Sequence, residues 1–147
     1  IVSLGKEFWF TKLILMFQKE VADRIIANFN TSNYGRLSIL SHWKLDVTKI
    51  LDIKPESFSP KPKIDSSLLL FSPKENFFKI QNPKNLEMIT RVFFNHRRKM
   101  IKKPFNQIFK NADQVSKKFN INLNLRPQNL EPQLYYELTK EYEDLRS

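Results

Sequence analysis

Two stretches of this 147-residue chain have side chains whose types and spacing suit chemistry. The first is Phe58-Ser59-Pro60-Lys61-Pro62-Lys63-Ile64-Asp65-Ser66. Each proline fixes its own φ and pushes the residue before it towards extended geometry, so the loop is stiff and the Phe58 ring is held in place. Lys61 and Lys63 set positive charge beside that ring. An aromatic face flanked by cations suits an unstacked nucleobase, although a single loop Phe also serves as a core plug. The second stretch is His96-Arg97-Arg98-Lys99-Met100-Ile101-Lys102-Lys103, with five fixed cations in eight residues and no acid among them. Such a run is either a solvated face or a phosphate-binding surface.

Other chemistries are poorly served. With no Cys there is neither a disulfide nor a thiolate metal site. His42 and His96 are far apart and lack cysteine companions, so no metal site is expected. Gly5 and Gly35 are the only glycines, which rules out a Gly-rich phosphate or dinucleotide loop within these residues. The acids Glu20, Asp23, Asp46, Asp52 and Asp65 show no paired spacing for acid–base work, and no G-x-S-x-G nucleophile motif occurs. The formal net charge of +10 favours a polyanionic partner, while the Lys, Asn, Ile and Phe bias is also what AT-rich coding produces. On its own chemistry the chain is binding machinery. The longest apolar run, Leu13 to Phe17, is too short to cross a bilayer, and residues 1–20 lack a signal-peptide pattern, so a cytoplasmic protein is expected.

The elements that must position these residues are α/β in character. The run 11–18 reads as a strand buried on both faces, as in a parallel sheet, followed at once by a helix over 19–28 with Val21, Ala22, Ile25 and Ile26 inward. A turn cluster at 30–33 leads to a short helix ending near His42. The segment 44–53 reads as a strand with Leu45, Val47, Ile50 and Leu51 as core candidates, and 63–71 as its antiparallel neighbour. After a boundary at 72–76 the pattern is helical. One helix is expected from Asn85 to about Lys103, with Leu86, Ile89, Phe93 and Met100 inward and Arg98 and Lys102 outward. Pro104 should stop or kink it; short helices at 105–110 and 113–119 follow, then a last helix opened by Pro132 with Leu134, Leu138 and Leu145 inward.

Several of these segments, in order, resemble the ribosomal RNA adenine dimethyltransferase family. Residues 15–24 (LMFQKEVADR) are similar to its strand-to-helix junction MLQKEVA-x-R, and Tyr34-Gly35-Arg36-Leu37-Ser38 is its YGRLS. Residues 58–66 resemble its F-x-P-x-P-x-V-x-S with Ile64 for Val, and 94–99 its F-x-x-RRK. Arg126 with Asn129-Leu130 resembles its R-x-E-x-L entry to the last helix, with Gln128 where Glu is usual.

The resemblance implies that residues 1–73 are the C-terminal part of a Rossmann-like methyltransferase domain and 74–147 a helical rRNA-recognition domain. It implies S-adenosylmethionine as cofactor, its binding loop and the Asn-Leu-Pro-Tyr/Phe catalytic tetrapeptide lying upstream of Ile1, so the chain alone should be inactive. The substrate implied is two adjacent adenines near the 3′ end of 16S-type rRNA in the small ribosomal subunit, methylated at N6 by a monomeric enzyme. By the same resemblance Phe58 stacks on the target adenine, and Arg24, Arg97, Arg98, Lys99 and Arg126 contact RNA; Lys61 and Lys102 join them as neighbouring cations. The alternatives are a large-subunit rRNA adenine N6-methyltransferase, which shares the Phe-Pro-Pro loop, and a non-catalytic relative that binds nucleic acid or checks ribosome assembly.

Overall fold

The computed structural model describes residues 10–57, 59–60 and 65–147. Strands β1 (Leu13–Gln18), β2 (Leu45–Ile53) and β3 (Ser66–Pro73) form one sheet in the order β1-β3-β2, with β3 antiparallel to both neighbours. The expected β2–β3 pairing is therefore present. The expected parallel, doubly covered β1 is not. Its side chains alternate: Leu13, Leu15 and Phe17 lie on the face that α1 (Lys19–Ile26) covers, while Ile14 and Met16 on the other face are more than half exposed. The pleat places successive residues on opposite faces, and a single helix can cover only one. Together with Leu68 and Leu70 on β3, opposite them in register, Ile14 and Met16 make an apolar face that no described residue covers.

On the covered face Ala22 and Ile25 of α1 meet Leu45, Val47, Leu69 and Phe71 in one buried cluster. Leu45 and Val47 thus bear out the pattern in β2. Ile50 and Leu51 do not: each is 45% exposed, because an irregularity between Lys49 and Leu51 leaves Ile50 without a partner on β3 and shifts the register of residues 51–53.

A second, larger core is helical. It joins Tyr34, Ile39 and Trp43, from α2 (Arg36–Lys44) and its entry, to α3 (Pro83–Phe94), α4 (Lys102–Ile108), α5 (Ala112–Lys118) and α6 (Pro132–Arg146). Although α2 precedes β2 and β3 in sequence, its large side chains pack with the C-terminal helices. Buried polar groups fix that union: Tyr34 OH donates to the Leu130 carbonyl at 2.7 Å, Tyr136 OH to Ile39 at 2.6 Å and Trp43 Nε1 to Phe78 at 2.7 Å. Burial raises the Tyr34 and Tyr136 hydroxyls well above the ordinary tyrosine range. The YGRLS segment is a fastener. Arg36 donates to the Glu87 carbonyl and to Thr90 Oγ1 on α3, and Ser38 Oγ donates to the Arg24 carbonyl on α1.

The long helix expected over 85–103 is two helices. α3 ends at Phe94, residues 95–98 form turns, and α4 begins at Lys102. Pro104 consequently lies in the first turn of α4, where an absent N–H costs nothing, and marks a beginning, not a stop. The break also changes which side chains turn inward: Ile101 is fully buried and Met100 is 52% exposed. In α6, Leu138, Tyr135 and Tyr136 are buried, whereas Leu145 is half exposed and outside the core.

His42 sits half-buried between α1 and α2 with Nε2 2.9 Å from the Ile25 carbonyl, an arrangement suited to the neutral ring with a proton on Nε2. Burial, with Lys74 nearby, lowers its pKa below the ordinary 6.5; the Ile25 hydrogen bond and Asp46 oppose this more weakly. The unfolded chain then binds a proton that the folded one does not. The associated stability is complete above about pH 6.5 and is lost as pH falls through the window beneath it. Replacing His42 by Gln should flatten the pH dependence of thermal stability between neutral and mildly acidic pH; an unchanged slope would exclude His42 as its source.

Candidate nucleic-acid interface

The turns after α3 and the loop before α6 would drift apart without specific ties. The Ile101 N–H donates to the Leu125 carbonyl at 2.8 Å, and the buried Ile101 side chain anchors the junction. Within the second loop Asn122 Oδ1 accepts from the Asn124 N–H and Asn129 Oδ1 from the Arg126 N–H, each at 2.9 Å, which fixes the turn carrying Arg126. Asn106 Nδ2 donates to the Lys102 carbonyl at 2.8 Å and so lies along the first turns of α4.

These ties assemble an open trough of about 850 Å³ whose charged lining is Arg98, Lys99, Lys102, Lys103 and Arg126. Asn106 and Asn124 contribute amides and Met100 an exposed apolar patch; among the described residues no acid lines the trough. Among the described residues no ion pair involves any of these cations, whereas Lys19, Arg24, Lys49, Lys118 and Lys140 all have carboxylate partners. Five uncompensated charges around one concavity make an electrostatic footprint for a polyanion. Arginine forks suit phosphate oxygens in pairs, and amides beside them can read sugar or base edges. Among the described residues no group of three or more His, Cys, Asp or Glu could hold a metal ion.

The sequence-expected residues separate here into three sets. Arg98, Lys99, Lys102 and Arg126 come together in the trough. Arg97, next to them in sequence, turns the other way: Nη2 donates to the carbonyls of Ser32 at 3.1 Å and Tyr34 at 2.9 Å. Its guanidinium holds the turn before α2 against the end of α3. Arg24 lies on α1, paired with Glu20 at 2.8 Å, and is not in the trough. Phe58 and Lys61 fall outside the described residues. The flanks of their loop are placed, however. β2 ends at Ile53 opposite Ser66, and the Lys19 N–H donates to the Asp65 carbonyl at 2.9 Å, so the loop opens at the sheet end where β1 turns into α1. Ser67 Oγ bonds Asp52 at 2.6 Å there, which with Lys49 lowers the Asp52 pKa.

A family model described as ribosomal RNA adenine dimethylase matches residues 4–144. The chain belongs to the ribosomal RNA adenine dimethylase family. Among curated relatives, ribosomal RNA small subunit methyltransferase A of Pelagibacter ubique (strain HTCC1062) is 73% identical over 146 residues, covering 99% of this chain and 56% of the relative. The protein of the same name from Ehrlichia ruminantium (strain Gardel) is 48% identical over 124 residues, covering 83% of this chain and 47% of its own. The chain thus spans about half the length of the curated relatives it matches. A solved dimethyladenosine transferase from Plasmodium falciparum superposes with a TM-score of 0.76 at 25% identity, over 95% of this chain and 60% of that one. The 23S rRNA methyltransferase ErmE shares the fold alone, with a TM-score of 0.61 at 14% identity.

As a dimethylase-family chain it is α/β, a portion of a Rossmann-like methyltransferase sheet followed by helices, in agreement with the sequence-based expectation. The family implies a methyl donor of the S-adenosylmethionine type. Gly5 and Gly35, the only glycines in the sequence, are far apart along it, so these residues carry no Gly-rich donor loop. Sequence alone missed Lys103, Asn106 and Asn124 as trough residues. Lys103 was visible as a charge; the two asparagines gave no signal, because their position depends on the Ile101–Leu125 tie.

Proposed function

We propose that the intact protein is an S-adenosylmethionine-dependent N6,N6-dimethyltransferase acting on two adjacent adenines near the 3′ end of small-subunit rRNA. Within it, residues 1–73 complete the catalytic domain and 74–147 form the rRNA-recognition domain. The observation that carries this reading is the trough: in a chain of this family, five cations with no ion-pair partner among the described residues converge on one concavity from the turns after α3, the start of α4 and the loop before α6. Arg98, Lys99, Lys102 and Arg126 bind rRNA phosphates there. Arg97 supports them by fixing the turn. Lys61 and Arg24 contribute further charge, and the Phe58 ring stacks on the target adenine so that its N6 is held for methyl transfer. The uncovered face of Ile14 and Met16 is the place where the rest of the catalytic domain seats. Protein and partner meet in the cytoplasm, the enzyme being a monomer. Among the described residues no helix is long and apolar enough to cross a membrane.

The test supplies the full-length protein with radiolabelled donor and either immature small subunits or large subunits. Methyl incorporation into small-subunit rRNA is expected. Incorporation only into large subunits would move the protein to the other methylase class, and none into either would leave a non-catalytic binder. In that assay Phe58→Ala should lower turnover about tenfold, the scale of one lost base–aromatic stack, while rRNA affinity is largely retained. Parallel loss of affinity and turnover would make Phe58 a packing residue.

A further inference from the structure

The trough does not end at α4. Lys99, Met100 and Lys103 also line a second depression of about 410 Å³, which passes over Pro104 and reaches Arg91, Val92 and Gln107. Those last three in turn line a third, a cavity of about 790 Å³ between α3, α4 and the end of α6. Through these shared residues the three depressions adjoin one another as a track. Among the described residues none that lines any of them is an acid.

The end of the track differs from its beginning. Met88, Val92, Ile108 and Tyr142 give it apolar walls, and Phe109 closes the floor. Arg91, Lys110 and Arg146 bring cations to the same cavity. The Arg146 guanidinium is 5.0 Å from the Tyr142 ring centroid and hydrogen-bonds its hydroxyl, so an aromatic ring and a cation stand side by side in the lining. On α6, Glu141 and Asp144 are paired with Lys118 and Lys140. The volume lies within the range of small-ligand pockets, and a flat π surface beside apolar walls suits a base out of its stack.

We propose that a single-stranded RNA segment follows this track from the trough and inserts an unstacked base into the cavity between α3 and α6, against Tyr142 and Arg146. This rests on the rRNA-binding reading above and adds a second anchoring point to it. Charge and continuity select the occupant: a polyanion already held in the trough meets cations at every step of the path, and only its terminal slot has tyrosine and phenylalanine rings in its lining.

The test uses the full-length protein and a short single-stranded RNA oligonucleotide carrying 2-aminopurine, titrated by fluorescence. Stacking in the slot should quench the probe base. Tyr142→Leu, which leaves every charge in place, should lower affinity about tenfold and abolish the quench, with its thermal midpoint compared with the parent to confirm folding. Arg91→Glu with Leu145→Glu changes only exposed side chains and should do the same. Affinity within twofold of the parent and an undiminished quench in this second variant would overturn the slot. Arg98→Ala with Lys102→Ala separates the two levels. If it weakens binding but keeps the quench at saturation, as expected, trough and slot act independently. If it leaves RNA affinity unchanged, the RNA-binding reading of the trough fails, and the slot fails with it. If the trough variant weakens binding while both slot variants bind as the parent does, the slot alone is wrong; tight binding of an acidic peptide by the cavity in that case would assign it to a protein partner.

Discussion

Replacing Glu143 by Ala is expected to destabilise the intact protein by about 3 kcal/mol, the largest loss from any single polar side chain in the helical core. Glu143 is 8% exposed on α6, and its carboxylate accepts three hydrogen bonds: from the Gln81 N–H at 2.8 Å, the Asn82 N–H at 2.7 Å and Asn85 Nδ2 at 2.7 Å. It thereby closes the entry to α3, where a negative charge is also favoured by the helix dipole. Bonds to an ionised acceptor are each worth about 1.5–3 kcal/mol, and removing that acceptor strands buried donors that water does not readily reach. Glu143→Gln keeps the shape but presents one amide group as a donor to a site built only of donors. It should recover less than half of the loss. The measurement is thermal or urea unfolding of the full-length variants, together with hydrogen exchange at the Gln81 and Asn82 amides. Those two amides should exchange faster in Glu143→Ala while the sheet amides of β3 do not. Uniform acceleration across the protein would mean that Glu143 supports the whole fold and not this junction.

Which parts of the molecule were visible in the sequence depends on the range of the forces involved. α1, α2, the pairing of β2 with β3 and the opening of α6 at Pro132 depend on local periodicity and on proline, and these features appear where the pattern places them. The break after Phe94 is different. Residues 85–103 carry a helical apolar period throughout, yet Arg97 is captured by carbonyls 63 and 65 positions away and the Ile101 N–H by Leu125. No window along the chain contains those partners. The same is true of Glu143, whose three donors lie 58 to 62 positions earlier. β1 shows the opposite limit. Its apolar residues on both faces were legible, but among the described residues α1 covers one face and no element covers the other, so half of that pattern is exposed. As for the site, Arg98, Lys99 and Lys102 were legible as a charge run and Arg126 by family resemblance; that they meet in one trough could not be read, because it depends on Ile101, whose side chain is buried and whose N–H meets the Leu125 carbonyl far along the chain.

That separation decides how the cation run behaves when its members are removed. Substituting Ala at Arg98, Lys102 and Arg126 together should lower affinity for small-subunit rRNA about a hundredfold or more near physiological salt. It should also reduce the slope of log affinity against log salt by about three, roughly one for each phosphate no longer neutralised. The unfolding midpoint should barely move, since all three side chains are exposed and, among the described residues, in no ion pair. Arg97→Ala should give the reverse signature. Its guanidinium is half-buried on two carbonyls, so its loss should cost about 2 kcal/mol of stability and loosen the turn before α2, while the salt slope stays near that of the parent. Arg97→Lys keeps the charge but not the planar guanidinium, and should remain destabilised if fastening is the role of this residue. A charge cluster acting simply as a solvated basic face would make no such distinction: all four substitutions would shift the salt slope alike and leave stability unchanged. Filter-binding titrations at several salt concentrations, paired with melting of the same variants, discriminate between a divided cluster, with Arg97 fastening the fold and its neighbours holding RNA, and a uniform one.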